Sequence, residues 1–428
     1  MQVLESLLRH LITTGELTVQ IGARRFTVGA PPTDKPWLAS TIRIKDRATA
    51  LRLALDPDFQ LGQCYMDGDL TIVRGTLWGF LELVGHNITS RGAPGLVTRA
   101  RNAIARLMRA GNDRRHARRN VHHHYDLSET LYRQFLDADM QYSCAYFEHA
   151  DDSLESAQAS KKAHIAAKLA LEPGQHVLDI GCGWGGMALS LAEACDVRVT
   201  GITLSEEQLR VAQARAKAAG LADRVDFALK DYREVGERFD RIVSVGMFEH
   251  VGREHFDTYF TAVRDLLTDD GVALIHAIGR KDPGTGSNPW MDRYIFPGGY
   301  IPALSETMGA IERSGLWATD IEILRLHYAD TLREWRRRCE VNRQIIELLY
   351  DARFFRMWEF YLASCEMAFR FDGMMVNQIQ LTRRIDALPR TRSYMAEREG
   401  EFVRHFAEQR IVPTAHDRVI KVQFKQGE

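Results

Sequence analysis

Four side chains that lie far apart in the sequence carry groups that can hold or transfer a proton. Glu249, His276 and Tyr328 each come near the predicted end of a β-strand, and Cys144 precedes all of these strands. In an open α/β sheet, ligands bind outside the carboxyl ends of the strands. Each residue also has an ordinary structural explanation, because a Glu-His pair often caps a helix and a strand-end histidine is often a satisfied core residue. Their joint placement favours one site.

A glycine-rich stretch at residues 176–186 must position part of that site. It reads His-Val-Leu-Asp-Ile-Gly-Cys-Gly-Trp-Gly-Gly and is followed at once by a helix-like sequence. A buried strand, a glycine-rich turn and a helix in this order are typical of a Rossmann-like sheet that binds a nucleotide-like ligand. Glycine tolerates positive φ and leaves room for a ribose beside the main chain. Taken alone, the turn fits NAD equally well.

The next predicted strand, residues 196–205, distinguishes these two ligand classes. An NAD-dependent enzyme would usually place Asp or Glu at its end to hold the ribose hydroxyls. This chain has Gly201, Ile202, Thr203 and Leu204 there. An NAD oxidoreductase is therefore disfavoured.

The wider pattern predicts an α/β protein with a second, smaller unit. Strands that alternate with helices over roughly residues 160–375 indicate a parallel, doubly wound sheet. Residues 1–85 read as a small α+β unit, with a turn-rich segment at 61–70 and an apolar helix at 77–84. Residues 290–299 are rich in aromatic residues and glycine and suit a mobile flap. The last 40 or so residues look helical and surface-facing.

Composition sets broad limits on the class of protein. The chain has 428 residues, of which 45% are hydrophobic and 26% charged, and its net charge is −1. These values are ordinary for a soluble globular protein. Its six cysteines form no Cys-x-x-Cys pair, so neither a zinc ribbon nor a disulfide framework is indicated, and reduced thiols in the cytoplasm are expected. No uncharged run of 18 apolar residues predicts a membrane-spanning helix.

Residues 99–119 contain eight arginines. They form either a solvated linker between domains or a patch for anionic lipid headgroups, where each basic residue contributes about 1 kcal/mol. Nucleic acid is disfavoured because no aromatic residues are interleaved with the arginines. The adjacent histidines at 122–124 do not predict a metal site, since consecutive side chains cannot converge on one ion.

Several motifs together resemble the cyclopropane fatty acid synthase family of S-adenosylmethionine methyltransferases. They are the glycine turn followed by Gly-Ile-Thr-Leu-Ser-x-x-Gln at 201–208, Tyr-Met-Asp-Gly-Asp-Leu at 65–70, His-x-Tyr-Asp-Leu-Ser at 123–128, Tyr-Ser-Cys-Ala-Tyr-Phe at 142–147, Phe-Glu-His-Val-Gly at 248–252, Ile-His-Ala-Ile-Gly at 275–279 and His-Tyr-Ala-Asp-Thr-Leu at 327–332. The resemblance covers about residue 60 onward. It implies a Rossmann-like class I methyltransferase sheet with a smaller α+β N-terminal domain.

This resemblance also implies domain boundaries and residue roles. The domains would be a lipid- or membrane-associated domain at 1–98, a basic linker at 99–121, a catalytic domain with a lid at 122–390 and an extension at 391–428. The catalytic residues that would hold a bicarbonate ion are Cys144, Glu249, His276 and Tyr328, joined in binding by Ile278. Residues expected to bind S-adenosylmethionine are Tyr142, Ser143, Gly181, Gly183, Thr203, Leu204, Gln208 and Tyr232.

The chemistry that the family performs explains these residue types. A cis alkene is a poor nucleophile, so the cationic methyl sulfonium must be placed directly against it. The resulting carbocation requires apolar walls that exclude water. A weak base such as bicarbonate then removes a proton and the cyclopropane ring closes. Alternatives are a methyl- or methylene-branched product, or a lipid-binding relative without catalysis.

The expected partner is an unsaturated phospholipid. With no spanning segment predicted, the chain is expected to be cytoplasmic and peripherally associated with the inner face of the membrane. The family resemblance further implies a homodimer. No nucleic-acid partner is expected.

Overall fold

The protein is described by a computed structural model that covers residues 2–89, 127–283 and 288–408. The arginine-rich stretch at 99–119 and the histidines at 122–124 lie outside the described residues. The predicted domain boundaries at 98 and 121 lie there as well, and these two boundaries and the one at 390 stay predictions.

The N-terminal unit contains a four-stranded sheet in the order β2-β1-β3-β4. Its strands are β1 (Gly15–Ile21), β2 (Arg24–Ala30), β3 (Ala39–Ile44) and β4 (Leu70–Arg74). The sheet is accompanied by α1 (Gln2–Leu11), α2 (Arg47–Leu55), α3 (Pro57–Asp67) and α4 (Leu77–Thr89). Five of the seven residues of β1 are buried and the other two are partly buried. The prediction of a small α+β unit is confirmed.

The prediction of a turn-rich segment at 61–70 was wrong, because α3 occupies most of it. Pro57 stands at the first position of this helix, where its missing N–H costs nothing, and Gly68 ends the helix at φ +78°. Gly62 lies inside the helix rather than in a turn. A Cβ on Gly62 would stand 2.7 Å from the Trp290 ring and 2.8 Å from Phe360, so the glycine permits close packing.

The larger unit is built on a seven-stranded sheet in the order β10-β11-β9-β8-β5-β6-β7. Its strands are β5 (His176–Ile180), β6 (Arg198–Thr203), β7 (Val225–Leu229), β8 (Phe239–Val245), β9 (Leu267–Arg280), β10 (Trp317–Ile323) and β11 (Met374–Thr382). The Rossmann-like α/β fold class is confirmed. Five strands, β9-β8-β5-β6-β7, run parallel.

The prediction of a wholly parallel sheet was wrong at one edge. Strand β11 pairs antiparallel with both β9 and β10. This strand was missed because Asn377, Gln378 and Gln380 interrupt its apolar pattern. All three amides are at most 3% exposed, so the strand is buried in spite of its polar composition.

Two core clusters join the large sheet to the helices that pack against it. The described helices of the larger unit are α5 (Glu129–Tyr132), α6 (Leu154–Lys168), α7 (Gly186–Cys195), α8 (Glu206–Ala218), α9 (Phe256–Leu266), α10 (Pro289–Tyr294), α11 (Leu304–Ser314), α12 (His327–Val341), α13 (Arg343–Leu349), α14 (Ala352–Phe371) and α15 (Ser393–Glu408). Within the described ranges, no helix has both the length and the apolar character needed to cross a bilayer.

Two segments differ in part from expectation. Helix α15 is helical as predicted, but it is not simply surface-facing. Its Phe402 and Phe406 are buried in the core cluster beneath α6 and α7. The proposed flap contains α10, whose Trp290 is 1% exposed and contacts Phe360 at 4.9 Å between ring centroids. The mobility of the flap stays a prediction.

Candidate active site

The glycine turn between β5 and α7 borders a cavity. Gly181, Gly183 and Gly185 all have positive φ, at +84°, +54° and +82°. A Cβ on Gly185 would stand 2.7 Å from the Phe227 ring, so this glycine is required by packing. A Cβ on Gly183 would meet no described atom within 4 Å, so this position leaves space for a ligand beside the main chain.

This first cavity has a volume of about 150 Å³. All eight residues predicted to bind the cofactor line it: Tyr142, Ser143, Gly181, Gly183, Thr203, Leu204, Gln208 and Tyr232. The cavity lies at the carboxyl ends of β5 and β6, where an α/β sheet binds ligands. The structure thus brings these residues together, and their role in binding stays a prediction.

Thr203 and Gln208 are held in place by each other. The Thr203 hydroxyl donates to Gln208 Oε1 over 2.9 Å, and both side chains are buried. Ser205 caps α8 by accepting from the Gln208 backbone N–H over 3.3 Å. The end of β6 and the start of α8 are therefore fixed against the cavity.

Two acidic side chains beside this cavity were missed by the sequence analysis. Asp179 is 2% exposed, and its Oδ2 has no hydrogen-bond partner among the described residues. Burial raises the pKa of Asp179 to about 7. Asp231 also lines the cavity and accepts from Arg233 Nε over 2.8 Å. The available signal was an acidic residue at or just beyond a strand end.

Helix α6 holds the wall segment at residues 141–143 from behind. Gln158 Nε2 donates to the carbonyls of Gln141 and Ser143 over 3.3 and 3.0 Å. Lys161 Nζ donates to Gln141 Oε1 over 2.6 Å and to Ser143 Oγ over 2.9 Å. Lys161 is fully buried, and this burial lowers the pKa of its ammonium group.

These charges allow a test of whether S-adenosylmethionine fits. The cofactor carries an ammonium and a carboxylate on its methionine part. Asp179 provides a buried carboxylate with an unpartnered oxygen, and Lys161 provides a positive charge behind Ser143. A buried unpaired charge is costly unless a ligand compensates it. The donor and acceptor set beside the cavity therefore fits this cofactor.

A second cavity has a volume of about 910 Å³. It is lined by all five residues that the resemblance assigned to bicarbonate: Cys144, Glu249, His276, Ile278 and Tyr328. These residues come from four separate segments of the chain, because His276 and Ile278 both lie on β9. The structure brings them to one cavity, and their catalytic role stays a prediction.

Glu249 lies in a short 3-10 turn that follows β8. Its Oε1 accepts from the Ile278 backbone N–H over 2.5 Å, which orients the carboxyl group. Its Oε2 is buried without a hydrogen-bond partner in the described parts of the chain. Burial raises the pKa of Glu249 to about 7. In this structure the Ile278 amide is engaged by Glu249.

The sequence suggested that His276 lies at the end of its strand, but the strand continues beyond this residue. Strand β9 continues to Arg280 because it pairs with β11 as far as Met374. His276 instead stands level with the end of β8, where it pairs with Val245. The neighbouring parallel strand stops there, so the His276 side chain still reaches the cavity.

The His276 imidazole is 2% exposed, and burial holds its pKa well below the ordinary value. Gln378 Nε2 lies 3.2 Å from His276 Nδ1. If the amide donates, Nδ1 accepts and the proton of the neutral ring stands on Nε2. His276 Nε2 has no partner within the described ranges. An unpartnered acid oxygen and an unpartnered imidazole nitrogen therefore border the same cavity.

Tyr328 and Cys144 complete the set. Tyr328 was expected at a strand end, but it lies in the first turn of α12, which begins at His327. Its ring contacts Phe369 at a centroid distance of 4.9 Å. Cys144 is 1% exposed, and burial raises the pKa of its thiol well above the ordinary range. The thiol is therefore neutral and is a poor nucleophile.

The rest of the larger cavity is mostly apolar and spans both units of the protein. Aromatic side chains from α14 and the flap line one part, including Phe296, Phe360 and Phe369. Leucines and isoleucines of α1 and the N-terminal sheet line another part. The two cavities share four lining residues: Tyr142, Ser143, Gly246 and His250.

Among residues 2–89, 127–283 and 288–408, no cluster of His, Cys, Asp or Glu suits a metal ion. The histidines at 122–124 fall outside these ranges.

Comparison with known proteins relates this site to a family of lipid-modifying enzymes. The family model described as mycolic acid cyclopropane synthetase matches residues 112–379. The cyclopropane-fatty-acyl-phospholipid synthase of Escherichia coli K12 is 38% identical over 345 residues, which are 81% of this chain and 88% of that protein.

A probable fatty acid methyltransferase of Pseudomonas putida is 43% identical over 279 residues, which are 63% of this chain and 71% of that protein. Among solved structures, the mycolic acid cyclopropane synthase CmaA1 complexed with SAH and CTAB is 34% identical, with a TM-score of 0.59. The match covers 62% of this chain and 97% of that chain.

Proposed function

The chain belongs to the mycolic acid cyclopropane synthetase family, and we propose that it converts the cis double bond of an unsaturated phospholipid acyl chain into a cyclopropane ring. Family membership makes it an S-adenosylmethionine-dependent methyltransferase and removes the NAD-dependent alternative. One observation carries the proposal. The cavity that Glu249 and His276 line is mostly apolar, has a volume of about 910 Å³ and shares lining residues with the glycine-turn cavity.

S-adenosylmethionine, when bound, supplies an electrophilic methyl group. The residues that would hold it are those of the smaller cavity. Asp179 would face the ammonium, and Ser143, backed by Lys161, would face the carboxylate. Tyr142 and Ser143 belong to both cavities, so they would set the approach of the two reactants. Positioning of this kind is the main requirement for a weak alkene nucleophile.

The walls of the larger cavity suit the cation that forms when the alkene takes up the methyl group. Phe296, Tyr361 and Phe369 would exclude water, which would otherwise trap the carbocation. The deeply buried Cys144 thiol stays neutral and so does not compete as a nucleophile. The geometry favours loss of a proton over trapping.

Bicarbonate, when bound, would supply the weak base. The two unpartnered buried atoms support this choice. His276 Nε2–H can donate a hydrogen bond to the anion, and Glu249 Oε2 can accept a hydrogen bond from the hydroxyl group of the bicarbonate. Ile278 would act by orienting Glu249 through its backbone N–H. After one C–C bond forms to the methyl carbon, loss of a proton from that carbon closes the ring. Net transfer of one methylene results.

A methyl- or methylene-branched product is the second candidate. It uses the same cofactor and the same cation, and it is favoured by the likeness to the probable fatty acid methyltransferase of Pseudomonas putida. The two candidates differ only in which proton leaves and in whether the product is then reduced. The chain's retention of Cys144, Glu249, His276 and Tyr328 around one cavity favours ring closure.

The test is incubation of the protein with labelled S-adenosylmethionine and vesicles of unsaturated phospholipid. We expect labelled lipid that is heavier by one methylene and whose acyl chain no longer reacts as an alkene. Gas chromatography of the released acyl chains separates cyclopropane from branched products. An unlabelled lipid fraction would contradict the proposal, and a labelled chain that still reacts as an alkene would favour branching.

We further propose that the protein acts at the cytoplasmic surface of the membrane and that it does so as a homodimer. Two features support membrane contact: the arginine-rich sequence at 99–119, and exposed apolar side chains on α1 and α2, among them Val3 and Leu55 at 61% and 72% exposure. Sedimentation with anionic vesicles tests this, and replacement of the arginines by glutamine should weaken it. Sedimentation equilibrium tests the dimer.

A further inference from the structure

Strand β9 runs along the wall of the larger cavity. His276, Ile278 and Arg280 are alternate residues of this strand, and all three line the cavity. Alternate side chains of a strand lie on one face, and each residue advances the chain by about 3.3 Å. His276 and Arg280 are therefore about 13 Å apart along the strand axis.

The two ends of this part of β9, His276 and Arg280, differ in their exposure to solvent. His276 is 2% exposed. Arg280 is partly exposed, and Lys281, Asp282 and Pro283 directly after it are exposed. The cavity therefore runs from a buried reactive end to an end near solvent. A lipid would place its polar head at the second end.

The Arg280 side chain has neither a hydrogen-bond partner nor an ion-pair partner in the part of the chain that the structure describes. Its Nε is buried. Its backbone is fixed by the N–H bond to the Pro302 carbonyl over 3.0 Å and by pairing with Met374. A rigidly mounted arginine of this kind suits a phosphate, which it can bind through two parallel N–H donors.

We propose that Arg280 binds the phosphate of the acyl donor, and that β9 thereby sets the distance between this phosphate and the reacting double bond. The inference rests on the proposed function, which already names a phospholipid, and it adds the residue that would hold the phosphate of this lipid. It assigns to Arg280 a role in specificity and not in the chemical step.

A competing explanation makes Arg280 a counter-ion for Asp372. This aspartate lines the same cavity and feels the charges of Arg280 and Lys281. Burial nevertheless raises the pKa of Asp372. Arg280 and Asp372 form no ion pair with each other in the described part of the molecule. The pair is therefore not closed, and a ligand phosphate can still reach the guanidinium.

The experiment measures binding of a saturated phospholipid, which cannot react, by displacement of a fluorescent lysophospholipid. Arg280→Gln should weaken this binding roughly 10-fold, as expected for loss of a charge-assisted hydrogen bond. Lys281→Gln, which removes the same charge from the next residue outside the cavity lining, should stay within about twofold. Arg280→Lys should fall between them because it keeps the charge but loses the planar fork.

Three further arms separate the explanations. A fatty acid methyl ester, which lacks phosphate, should bind the wild type and Arg280→Gln equally; an equal loss for the ester would overturn the proposal. Inorganic phosphate should compete with the phospholipid if any phosphate suffices. Recovery of phospholipid binding in the double variant Arg280→Gln/Asp372→Asn would assign Arg280 to Asp372 and overturn the proposal.

Product analysis adds a second readout. With phospholipids whose cis double bond stands at different positions, the wild type should prefer one position, and Arg280→Gln should spread the products over several positions. If Arg280→Gln kept the double-bond preference of the wild type, this result would contradict the proposal that β9 sets the distance. If the wild type modifies none of these lipids, the proposed function fails, while the binding arms still decide whether Arg280 holds phosphate.

Discussion

The two cavities of the candidate active site are built in opposite ways. The smaller one is formed mainly at consecutive turns at one edge of the parallel strands, and charged groups such as Asp179 stand beside it. The larger one draws its walls from both units, from α1 near the N-terminus to β11 near the C-terminus, and most of its lining is apolar. A local motif builds the first, whereas tertiary packing builds the second.

This difference teaches that the two cavities can be perturbed separately. Residues of the glycine turn are neighbours in sequence, so the sequence determines their geometry almost directly. The walls of the larger cavity depend on how α3 and α14 are docked. Substitutions should therefore divide into those that change cofactor affinity and those that change lipid turnover.

The sharpest division is expected at Glu249. Glu249→Gln keeps the acceptor for the Ile278 N–H but removes the titratable oxygen that borders the larger cavity. We expect turnover of unsaturated phospholipid to fall about 100-fold or more, as for loss of a group that manages a proton. Cofactor affinity by calorimetry should be unchanged. Glu312→Gln, at an exposed position of α11, is the control. Turnover within tenfold of wild type would contradict the role.

The same residue predicts a pH dependence of stability. Burial raises the folded-state pKa of Glu249 from 4.5 to about 7. The protonated Glu249 contributes fully to the free energy of unfolding below pH 4.5, the pKa of the unfolded chain. This contribution is lost as the pH rises through about 7, the pKa of the folded state. Between about pH 5 and about pH 8 the loss is about 2.5 kcal/mol. Urea unfolding should show that Glu249→Gln loses less stability than wild type over this interval. Parallel curves would refute the uncompensated charge.

On the cofactor side, Asp179→Asn should act in the complementary way. Loss of the buried carboxylate should weaken S-adenosylmethionine binding about tenfold, while phospholipid binding stays the same. In the wild type, affinity should fall as pH drops below about 7, because the carboxyl group becomes protonated. Asp226→Asn, on the exposed side of β7, is the control. A wild-type affinity that does not change with pH would argue against Asp179.

A smaller effect should come from the docking of α3. Gly62→Ala places a methyl group against Trp290 and Phe360, and overpacking of this kind costs about 1–3 kcal/mol. We expect a lower melting temperature and a KM for phospholipid raised several-fold, with unchanged cofactor affinity. Gly79→Ala is a matched control in α4, since its nearest atom, Thr76 Oγ1, would lie 3.5 Å away. Equal effects of the two substitutions would break the comparison.

The sequence predicted the smaller cavity well because its determinants are local. Gly181, Thr203 and Gln208 lie within a few residues of strand ends, and strand ends are recognisable. Asp179 was missed because nothing in the sequence reveals that its carboxylate stays without a partner. Burial and partners are properties of the packed structure.

Prediction was weaker for the larger cavity. The residues predicted to act there were identified through the family resemblance, yet His276 was taken as the end of its strand and Tyr328 was placed on a strand instead of in α12. For His276 the reason lies in β11, whose buried amides hid a strand that extends β9 beyond this residue. The contribution of α1 to the lining could not be foreseen, because it depends on docking between distant segments.

Tyr142, Ser143, Gly246 and His250 form a common partition between the two cavities. Thermodynamic linkage requires that, if one ligand displaces this partition and so changes the affinity for the other ligand, the second ligand changes the affinity for the first by the same factor. Lipid bound in the larger cavity would then change the affinity of the smaller cavity for its cofactor. The cofactor affinity measured without lipid would therefore differ from the affinity of the lipid-bound protein.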